Sequence, residues 1–303
     1  MTDQIKQSYT NFKCGYVVLI GRPNVGKSTL MNNLLQIKLS IVTPKPQTTR
    51  HRVLGIFNDP DCQIIFLDTP GFLKPKYKLQ EVMVKTVHRA ISEADLILFM
   101  IELKDKPSEV DLSILKEITP TKKPILLIIN KIDLLNKEKI LPLMEAYTSQ
   151  YKLTAVVPIS ALTNNGLDIL KRAIKDNLLP GPPFYPQDVL TEHPERFFVA
   201  EIIREKIFQR YGEEIPYSTT VTIEEFKERE KSKDYIRATI YVERLSQKGI
   251  LIGKKGVALK KVGQTAREDI EKFLQRQVYL DLHVSVKEKW RFKDGTLREL
   301  GYR

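Results

Sequence analysis

Gly21-Arg22-Pro23-Asn24-Val25-Gly26-Lys27-Ser28 fits the pattern G-x-x-x-x-G-K-[ST] and follows the apolar run 15–20. Glycines at these positions allow a tight turn whose backbone N–H groups point at phosphate oxygens, while the lysine reaches the β- and γ-phosphates and the hydroxyl binds Mg²⁺. The helix that should follow, over residues 27–36, adds the positive end of its dipole. The stretch therefore predicts a phosphate-binding loop between a strand and a helix.

A second motif, Asp68-Thr69-Pro70-Gly71, closes the apolar run 63–67. It places a carboxylate at the carboxyl end of a predicted strand, near the metal, and leaves the N–H of Gly71 to meet the γ-phosphate. The switch segment, residues 43–50, should supply another hydroxyl to Mg²⁺; we prefer Thr49, with Thr48 as the alternative. The expected metal ligands are Ser28, Thr49 and Asp68, and the expected catalytic groups are Lys27, Thr49 and Gly71.

Two further motifs predict which base the nucleotide carries. Asn130-Lys131-Ile132-Asp133 closes the apolar run 125–129, and Ser160-Ala161 closes the run 155–159. The Asp133 carboxylate can accept hydrogen bonds from both N1–H and the exocyclic amine of guanine, a donor pair that adenine lacks. Lys131 would lay its aliphatic stem over the ring, and the small residue Ala161 would let a backbone N–H approach guanine O6. The motifs in this order, each behind a strand, predict GTP as the ligand.

These motifs resemble those of the translation-factor-like small GTPases and, among them, the bacterial Era-type GTPases, over nearly the whole chain. The narrower marks of that family are the run 21–30, Pro46-Gln47-Thr48-Thr49-Arg50-His51, the motif 68–71 and the C-terminal run 297–303. The form of the phosphate-binding loop is shared with related ribosome-assembly GTPases. The second half of the chain must therefore distinguish between them.

One position departs from the pattern of many GTPases. Where a glutamine commonly follows D-x-x-G and orients the attacking water, this chain has Phe72, whose ring neither donates nor accepts a hydrogen bond. The resemblance implies slow hydrolysis, and it makes Asn24 the candidate ligand of a K⁺ ion that replaces the missing group. The residues expected to bind GTP are those at 21–28, 68–72, 130–133, 160 and 161.

The second half of the chain contains the G-x-x-G turn Gly253-Lys254-Lys255-Gly256, followed by helical apolar spacing at 257, 259, 262, 266 and 270. KH modules use such a turn to clamp the backbone of about four nucleotides. From Arg244 to Arg267 there are seven basic residues and no acidic one. The pattern predicts an RNA site formed by Gly253, Lys254, Lys255, Gly256 and Lys260. Trp290 and Phe292, flanked by basic residues, are equally typical of base stacking and of a packed tail.

The predicted organisation is an α/β P-loop GTPase domain with a mainly parallel sheet over 1–180, a linker over 181–195, and an α+β KH domain of type II with its tail over 196–303. The proline-rich run 179–186 marks the boundary, since it cannot continue a helix. We expect an antiparallel strand at 53–57. After the linker we expect a helix over 195–211, strands over 219–223 and 235–243, two helices, and a strand over 278–286.

Composition restricts the setting. The net charge of +12 favours a polyanionic partner in general terms. The two cysteines, Cys14 and Cys62, fit no metal spacing and are typical of buried thiols in a reducing cytosol. The apolar stretches are too short to span a membrane, and we expect no signal peptide.

The sequence therefore predicts a two-domain, Mg²⁺-dependent GTPase in which GTP-dependent ordering of the switch segment biases how the KH domain meets RNA. The resemblance implies that the RNA is 16S rRNA near its 3′ end, that the protein assists assembly of the 30S ribosomal subunit, and that it is a cytoplasmic monomer with peripheral association at the inner face of the membrane. Two alternatives remain open: a nucleotide-gated RNA-binding switch with negligible turnover, and a related GTPase acting on another RNA. A GTPase that modifies tRNA is disfavoured, because the second half of the chain has no His/Cys/Glu constellation for such chemistry.

Overall fold

The computed structural model describes residues 11–134, 137–230 and 232–302, with the Lys137 side chain excepted. The chain divides into two compact units. The first comprises the chain up to Ser40, Thr49–Lys74 and Met83–Glu192. The second comprises Ile41–Thr48, Pro75–Val82 and His193–Arg303. Two inserts from the first half of the sequence thus belong to the second unit. Domain boundaries placed at single positions along the sequence cannot describe this arrangement.

The first unit is built on one sheet. Its strands are β1 (Lys13–Gly21), β2 (Val53–Asp59), β3 (Cys62–Asp68), β4 (Leu96–Glu102), β5 (Ile125–Asn130), β6 (Ala155–Pro158) and β7 (Leu179–Pro180). The order is β2-β3-β1-β4-β5-β6, and β7 pairs antiparallel with β1. The β1, β3, β4, β5 and β6 pairings are parallel, whereas β2 runs antiparallel to β3. The predictions of a mainly parallel sheet and of an antiparallel strand at 53–57 are confirmed.

Within the described residues, five α-helices accompany this sheet: α1 (Lys27–Leu35), α2 (Lys78–Glu93), α3 (Glu109–Ile118), α4 (Ile140–Thr148) and α5 (Leu167–Asp176). The first residues of α2, up to Val82, belong to the second unit. The central strands are continuous apolar runs because both faces of a parallel sheet are covered by helices. Val17 and Val18, for example, point to opposite faces and are both fully buried. The carboxyl ends of β1, β3, β4 and β5 lie at one edge of the sheet, where the motifs of the phosphate and base sites begin.

The proline-rich segment after β7 continues along the first unit. The side chain of Gln63, which is fully buried, accepts hydrogen bonds from the N–H groups of Phe184 (2.7 Å) and Tyr185 (2.9 Å) and donates to the Tyr185 carbonyl (2.8 Å). Farther along, the carbonyl of Leu190 accepts from the N–H of Ile56 at 2.8 Å. Side-chain and backbone groups of the sheet therefore fix the path of this segment.

The second unit contains α6 (Glu195–Arg210), α7 (Ile215–Ser218), β8 (Thr220–Lys227), β9 (Asp234–Val242), α8 (Leu245–Ile252), α9 (Val257–Leu274), β10 (Val278–Val286) and α10 (Asp294–Glu299). Its sheet has the order β10-β9-β8, with β9 and β10 parallel and β8 antiparallel to β9. The helix-first order of a type II KH domain is confirmed. Ile203, Ile236 and Ile240, all fully buried, belong to the core between helices and sheet.

The two aromatic residues of the tail behave differently. Trp290 is fully buried, its indole N–H donates to the Ser218 carbonyl at 2.8 Å, and its ring stacks on Tyr302 at 5.7 Å. Phe292 is 49% exposed. Of the two interpretations of this pair, packing of the tail therefore applies to Trp290.

Both cysteines are buried and free, as the sequence predicts. Burial raises the pKa of the Cys14 thiol and raises that of Cys62 to about 11, so both are unreactive thiols at neutral pH. In the described part of the chain, every helix is too short or too polar to span a bilayer.

Candidate nucleotide and RNA sites

The phosphate-binding loop joins β1 to α1 through glycines that no other residue can replace. Gly26 has φ +104°, and a Cβ atom there would lie 2.3 Å from the Asn130 amide nitrogen. Gly71, from the second motif, approaches the same loop so closely that a Cβ atom would lie 2.5 Å from the Pro23 nitrogen. Both positions therefore require glycine, in one case for conformation and in both for space. The two motifs are thus in contact along their backbones.

Lys27 lies inside this loop and is 6% exposed. Its ammonium donates to the carbonyls of Arg22 (2.9 Å) and Gly21 (3.2 Å). Burial lowers the pKa of Lys27 to about 8, although the Asp68 carboxylate acts in the opposite direction. A phosphate group beside the ammonium would favour its charged form and raise the pKa of Lys27. The loop therefore favours binding of an anion.

The three expected metal ligands lie together. The Ser28 hydroxyl donates to Asp68 Oδ2 at 2.6 Å and lies 3.0 Å from the Thr49 hydroxyl. Asp68 is fully buried, burial raises the pKa of its carboxyl, and its Oδ1 has no hydrogen-bond partner among the described residues. Two hydroxyls and a carboxylate with an unsatisfied buried oxygen form a donor set that fits Mg²⁺, which prefers oxygen ligands.

The alternative ligand, Thr48, points elsewhere. Its hydroxyl donates to the Lys45 carbonyl at 2.7 Å and lies 2.6 Å from the Thr43 hydroxyl. Within the described residues, the threonine that reaches Ser28 is Thr49. The geometry therefore favours Thr49 over Thr48 as a metal ligand.

Asn130 connects the phosphate loop to both base motifs. Its side-chain amide donates to the Val25 carbonyl at 2.7 Å and accepts from the Ala161 N–H at 2.9 Å. Asn33 of α1 donates to the Ala161 carbonyl. The turn at Ser160 and Ala161 is thus held by side chains from two other elements. The N–H of Ala161 is already bonded to Asn130, so in this arrangement it is not available to a base.

The other residues of the base motif, Lys131 to Asp133, connect it to neighbouring elements or remain exposed. Ile132 donates its N–H to the Ile159 carbonyl at 3.3 Å, which joins the two base loops, and the Asp133 side chain is exposed. Lys131 adopts φ +65°, and its ammonium pairs with Glu102 at the end of β4. The exposed carboxylate of Asp133 is available to a base, as its expected role requires.

Two other predicted residues of the nucleotide site, Thr69 and Phe72, stabilise the framework around it. Thr69 donates its hydroxyl to the Leu19 carbonyl at 2.7 Å. Phe72 donates its N–H to the Gly21 carbonyl at 3.0 Å, but its ring is only 9% exposed, lies in the hydrophobic core and meets His88 edge-on at 5.8 Å. Phe72 therefore contributes backbone to the site, and its side chain points into the core.

The G-x-x-G turn of the second unit connects α8 to α9. Lys255 (φ +52°) and Gly256 (φ +77°) adopt left-handed conformations, and Gly253 (φ +71°, ψ 176°) adopts an extended conformation with positive φ. Lys254 and Lys255 are exposed. The turn therefore presents two ammonium groups and a backbone that a phosphate chain can approach.

A groove of about 610 Å³ begins at this turn and runs between α9 and β10. It is lined by Lys233, Gly256, Leu259, Lys260, Gly263, Gln264, Arg267, Val278, Tyr279, Leu280 and Leu282. Of these, only Gly256 and Lys260 are predicted from the sequence to contact RNA. Positions 260, 263, 264 and 267 follow helical spacing and so share one face of α9, which is the signal that could have identified the others. The β10 wall gives no such signal.

The insert Ile41–Thr48 packs on α6 within the second unit. The carboxylate of Glu205 accepts from the Val42 N–H at 2.9 Å, and the Thr48 carbonyl accepts from the guanidinium of Arg204. The ammonium of Lys45 donates to carbonyls at the C-terminal end of α6, those of Phe208 and Tyr211. The residue that follows this insert is Thr49, the metal-ligand candidate.

Comparison with known proteins agrees with both halves. Residues 16–131 match a family model described as 50S ribosome-binding GTPase, and residues 214–291 match the KH domain model. The chain is 47% identical to GTPase Era of Geotalea daltonii over 96% of its own length and 98% of that protein. It is also 47% identical to GTPase Era of Lacticaseibacillus paracasei over 95% of this chain and 96% of that one.

Two solved structures are similar over almost the whole chain. A variant of Aquifex aeolicus Era bound to GDP and AlF4⁻ has a TM-score of 0.93 and 43% identity, covering 96% of this chain and 99% of that one. A complex of Era with MgGDPNP and nucleotides 1506–1542 of 16S ribosomal RNA has a TM-score of 0.93 and 44% identity at the same coverage.

The pKa of Lys27 leads to a pH dependence of phosphate binding. With its pKa at about 8, Lys27 is charged below pH 7 and loses its proton as the pH rises through 8. A bound phosphate returns the pKa toward its ordinary value, so binding above pH 8 takes up a proton. GDP affinity should fall about fourfold between pH 7 and pH 8.5. Titration calorimetry in buffers of different ionisation enthalpy measures this uptake; guanosine, which lacks phosphate, is the control. Equal proton uptake by both ligands would contradict the assignment.

Proposed function

The chain belongs to the Era family of GTPases, and on that premise we propose that it binds single-stranded RNA near the 3′ end of 16S rRNA and assists assembly of the 30S ribosomal subunit. RNA binding is supported chiefly by the turn at residues 253–256, which exposes two lysines and lies at the end of the groove between α9 and β10. The presence of 16S rRNA nucleotides in the similar Era complex supports the choice of RNA.

GTP hydrolysis follows from the first unit. Lys27 supplies positive charge inside the phosphate loop, and the backbone of Gly71 lies against that loop. Ser28, Thr49 and Asp68 would hold Mg²⁺, which when bound neutralises charge on the phosphates. Positioning and electrostatic stabilisation are the main contributions that phosphoryl transfer needs from a protein.

Turnover is proposed to be slow. The Phe72 ring lies in the core, so this side chain cannot orient the attacking water. Asn24, which is exposed in the phosphate loop with φ +64°, is the candidate to bind a K⁺ ion that compensates. The second candidate function, a nucleotide-gated switch with negligible turnover, rests on the same buried ring.

Coupling between nucleotide and RNA is proposed to pass through the insert Ile41–Thr48. Its contacts with Arg204 and Glu205 tie it to α6, and the chain continues directly from Thr48 into Thr49. Ordering of Thr49 by Mg·GTP would therefore restrict a segment that is bonded to the first helix of the KH domain. A difference in RNA affinity between the GTP and GDP states is the expected result.

Potassium separates the two candidate functions. Single-turnover hydrolysis of GTP should be about tenfold or more faster in K⁺ than in Na⁺ at equal ionic strength, because a cation at Asn24 would stabilise charge that develops on the phosphates. Asn24→Ala should remove the difference while GDP affinity stays within about twofold. Negligible turnover in both salts would support the switch instead, and equal turnover in both salts would refute a K⁺ ion at Asn24.

The RNA assignment is tested by charge reversal at the turn. Replacing Lys254 and Lys255 by glutamate puts like charge against the clamped phosphates, so affinity for a 16S rRNA 3′-end oligonucleotide should fall well over tenfold at moderate salt. Exposed Lys106→Glu in the first unit is the matched control and should have little effect. GDP binding should be unchanged. Undiminished RNA affinity in the double variant, measured by fluorescence anisotropy, would exclude the turn as the RNA clamp.

The coupling proposal is tested at Lys45. Lys45→Met removes the two hydrogen bonds to the end of α6 and keeps the aliphatic stem. We expect the ratio of RNA affinities with a non-hydrolysable GTP analogue and with GDP to move at least about threefold toward one, since coupling is a difference in free energy between states. Lys106→Met should leave the ratio unchanged. If Lys45→Met alters both affinities equally, the ratio is preserved and the insert does not transmit the nucleotide state.

A further inference from the structure

A chain of alternating charges lies between the phosphate loop and the guanine motif of the first unit. The guanidinium of Arg22, from the phosphate loop, donates through Nε to Asp111 Oδ1 at 2.7 Å. Its Nη2 lies 3.8 Å from Glu102 Oε2. The other oxygen of Glu102 accepts from the ammonium of Lys131. One carboxylate thus stands between a residue of each motif.

Glu102 lies near two cations, Arg22 and Lys131, and the distances show which of them it binds. Asp111 is 2% exposed and makes the close contact with Arg22, so Asp111 is the direct hydrogen-bond partner of Arg22. At 3.8 Å, Glu102 is beyond hydrogen-bond distance from Arg22. With Lys131, by contrast, it forms a direct hydrogen bond. The charge of Glu102 is therefore directed to Lys131.

Strand register places this carboxylate where it can act. Glu102 is the last residue of β4 and pairs with Asn130, the last residue of β5. The next residue, Lys131, turns into a left-handed conformation that costs energy for any residue other than glycine. Its long side chain also has many rotamers, so an ordered position requires a partner. Glu102 is that partner, and the side chains of the pair are 24% and 34% exposed.

We propose that Glu102 is a positioning residue for guanine binding: it fixes the ammonium of Lys131 so that the aliphatic stem is held in place for the base. The inference rests on the assignment of Lys131 to the base, which belongs to the proposed arrangement of the nucleotide site. It predicts that loss of the Glu102 charge weakens contacts with the guanine base and leaves contacts with the phosphates unchanged.

The test is the variant Glu102→Gln, which keeps shape and removes charge. Dissociation of GDP carrying a fluorescent ribose group should be about threefold faster than from the wild-type protein, the size expected for a partly exposed ion pair. Glu145→Gln, an exposed charge removal on α4, is the matched control and should leave the rate unchanged. Inorganic triphosphate, which has no base, should bind Glu102→Gln and wild type equally.

Double-mutant cycles identify the residue through which Glu102 acts. In a Lys131→Met background, which keeps the stem, Glu102→Gln should add no further acceleration; in an Arg22→Gln background the threefold effect should persist. An unchanged rate of GDP dissociation from Glu102→Gln overturns the proposal. So does a threefold acceleration by Glu102→Gln that persists in the Lys131→Met background, and so does weaker binding of inorganic triphosphate to Glu102→Gln. A wild-type rate of GDP dissociation from Lys131→Met would also overturn it, because Lys131 would then not serve the base. The outcomes of the single-turnover hydrolysis and RNA-binding experiments do not depend on this result.

Discussion

The side-chain amide of Asn130 is the interaction on which the nucleotide site depends. It is 2% exposed, and it uses one donor on the phosphate loop and its acceptor on the Ala161 turn. A buried amide that satisfies groups on two other loops fixes their distance, because either loop would leave a polar group unpaired if it moved. Gly26 has to be glycine for the same reason: the amide occupies the space of its Cβ.

Much of the first unit could be predicted from sequence because its motifs coincide with strand ends. The phosphate loop, the D-x-x-G motif and the guanine motif each follow an apolar run, and parallel strands bring their carboxyl ends to one edge. What could not be predicted are contacts set by register and side-chain direction. Glu102 and Asp111 have no motif of their own. The closeness of Glu102 to Lys131 follows from the pairing of β4 with β5, and the closeness of Asp111 to Arg22 follows from the packing of α3, neither of which the sequence displays.

The second unit shows the same division between local and long-range information. Turn chemistry and helical spacing identified the G-x-x-G turn, and the final strand at Val278–Val286 has the predicted bounds. The β10 wall of the groove was missed, since Tyr279 and Leu282 are ordinary members of a strand. The membership of Ile41–Thr48 was missed as well, because the contacts of Val42 and Lys45 span 163 residues or more.

The path of the proline-rich segment has a consequence for the behaviour of the polypeptide in solution. β2 is the outermost strand of its sheet, and an outermost strand offers unpaired backbone groups to any other extended chain. Here two of those backbone groups are already engaged: the Ile56 N–H donates to the Leu190 carbonyl, and the Leu54 carbonyl accepts from the Thr191 hydroxyl at 2.6 Å. The side-chain amide of Asn58 also donates to the Gln187 carbonyl, at 2.9 Å. A fragment ending at residue 180 would uncover this strand and be prone to intermolecular pairing and aggregation, whereas one extended to Glu192 keeps it capped.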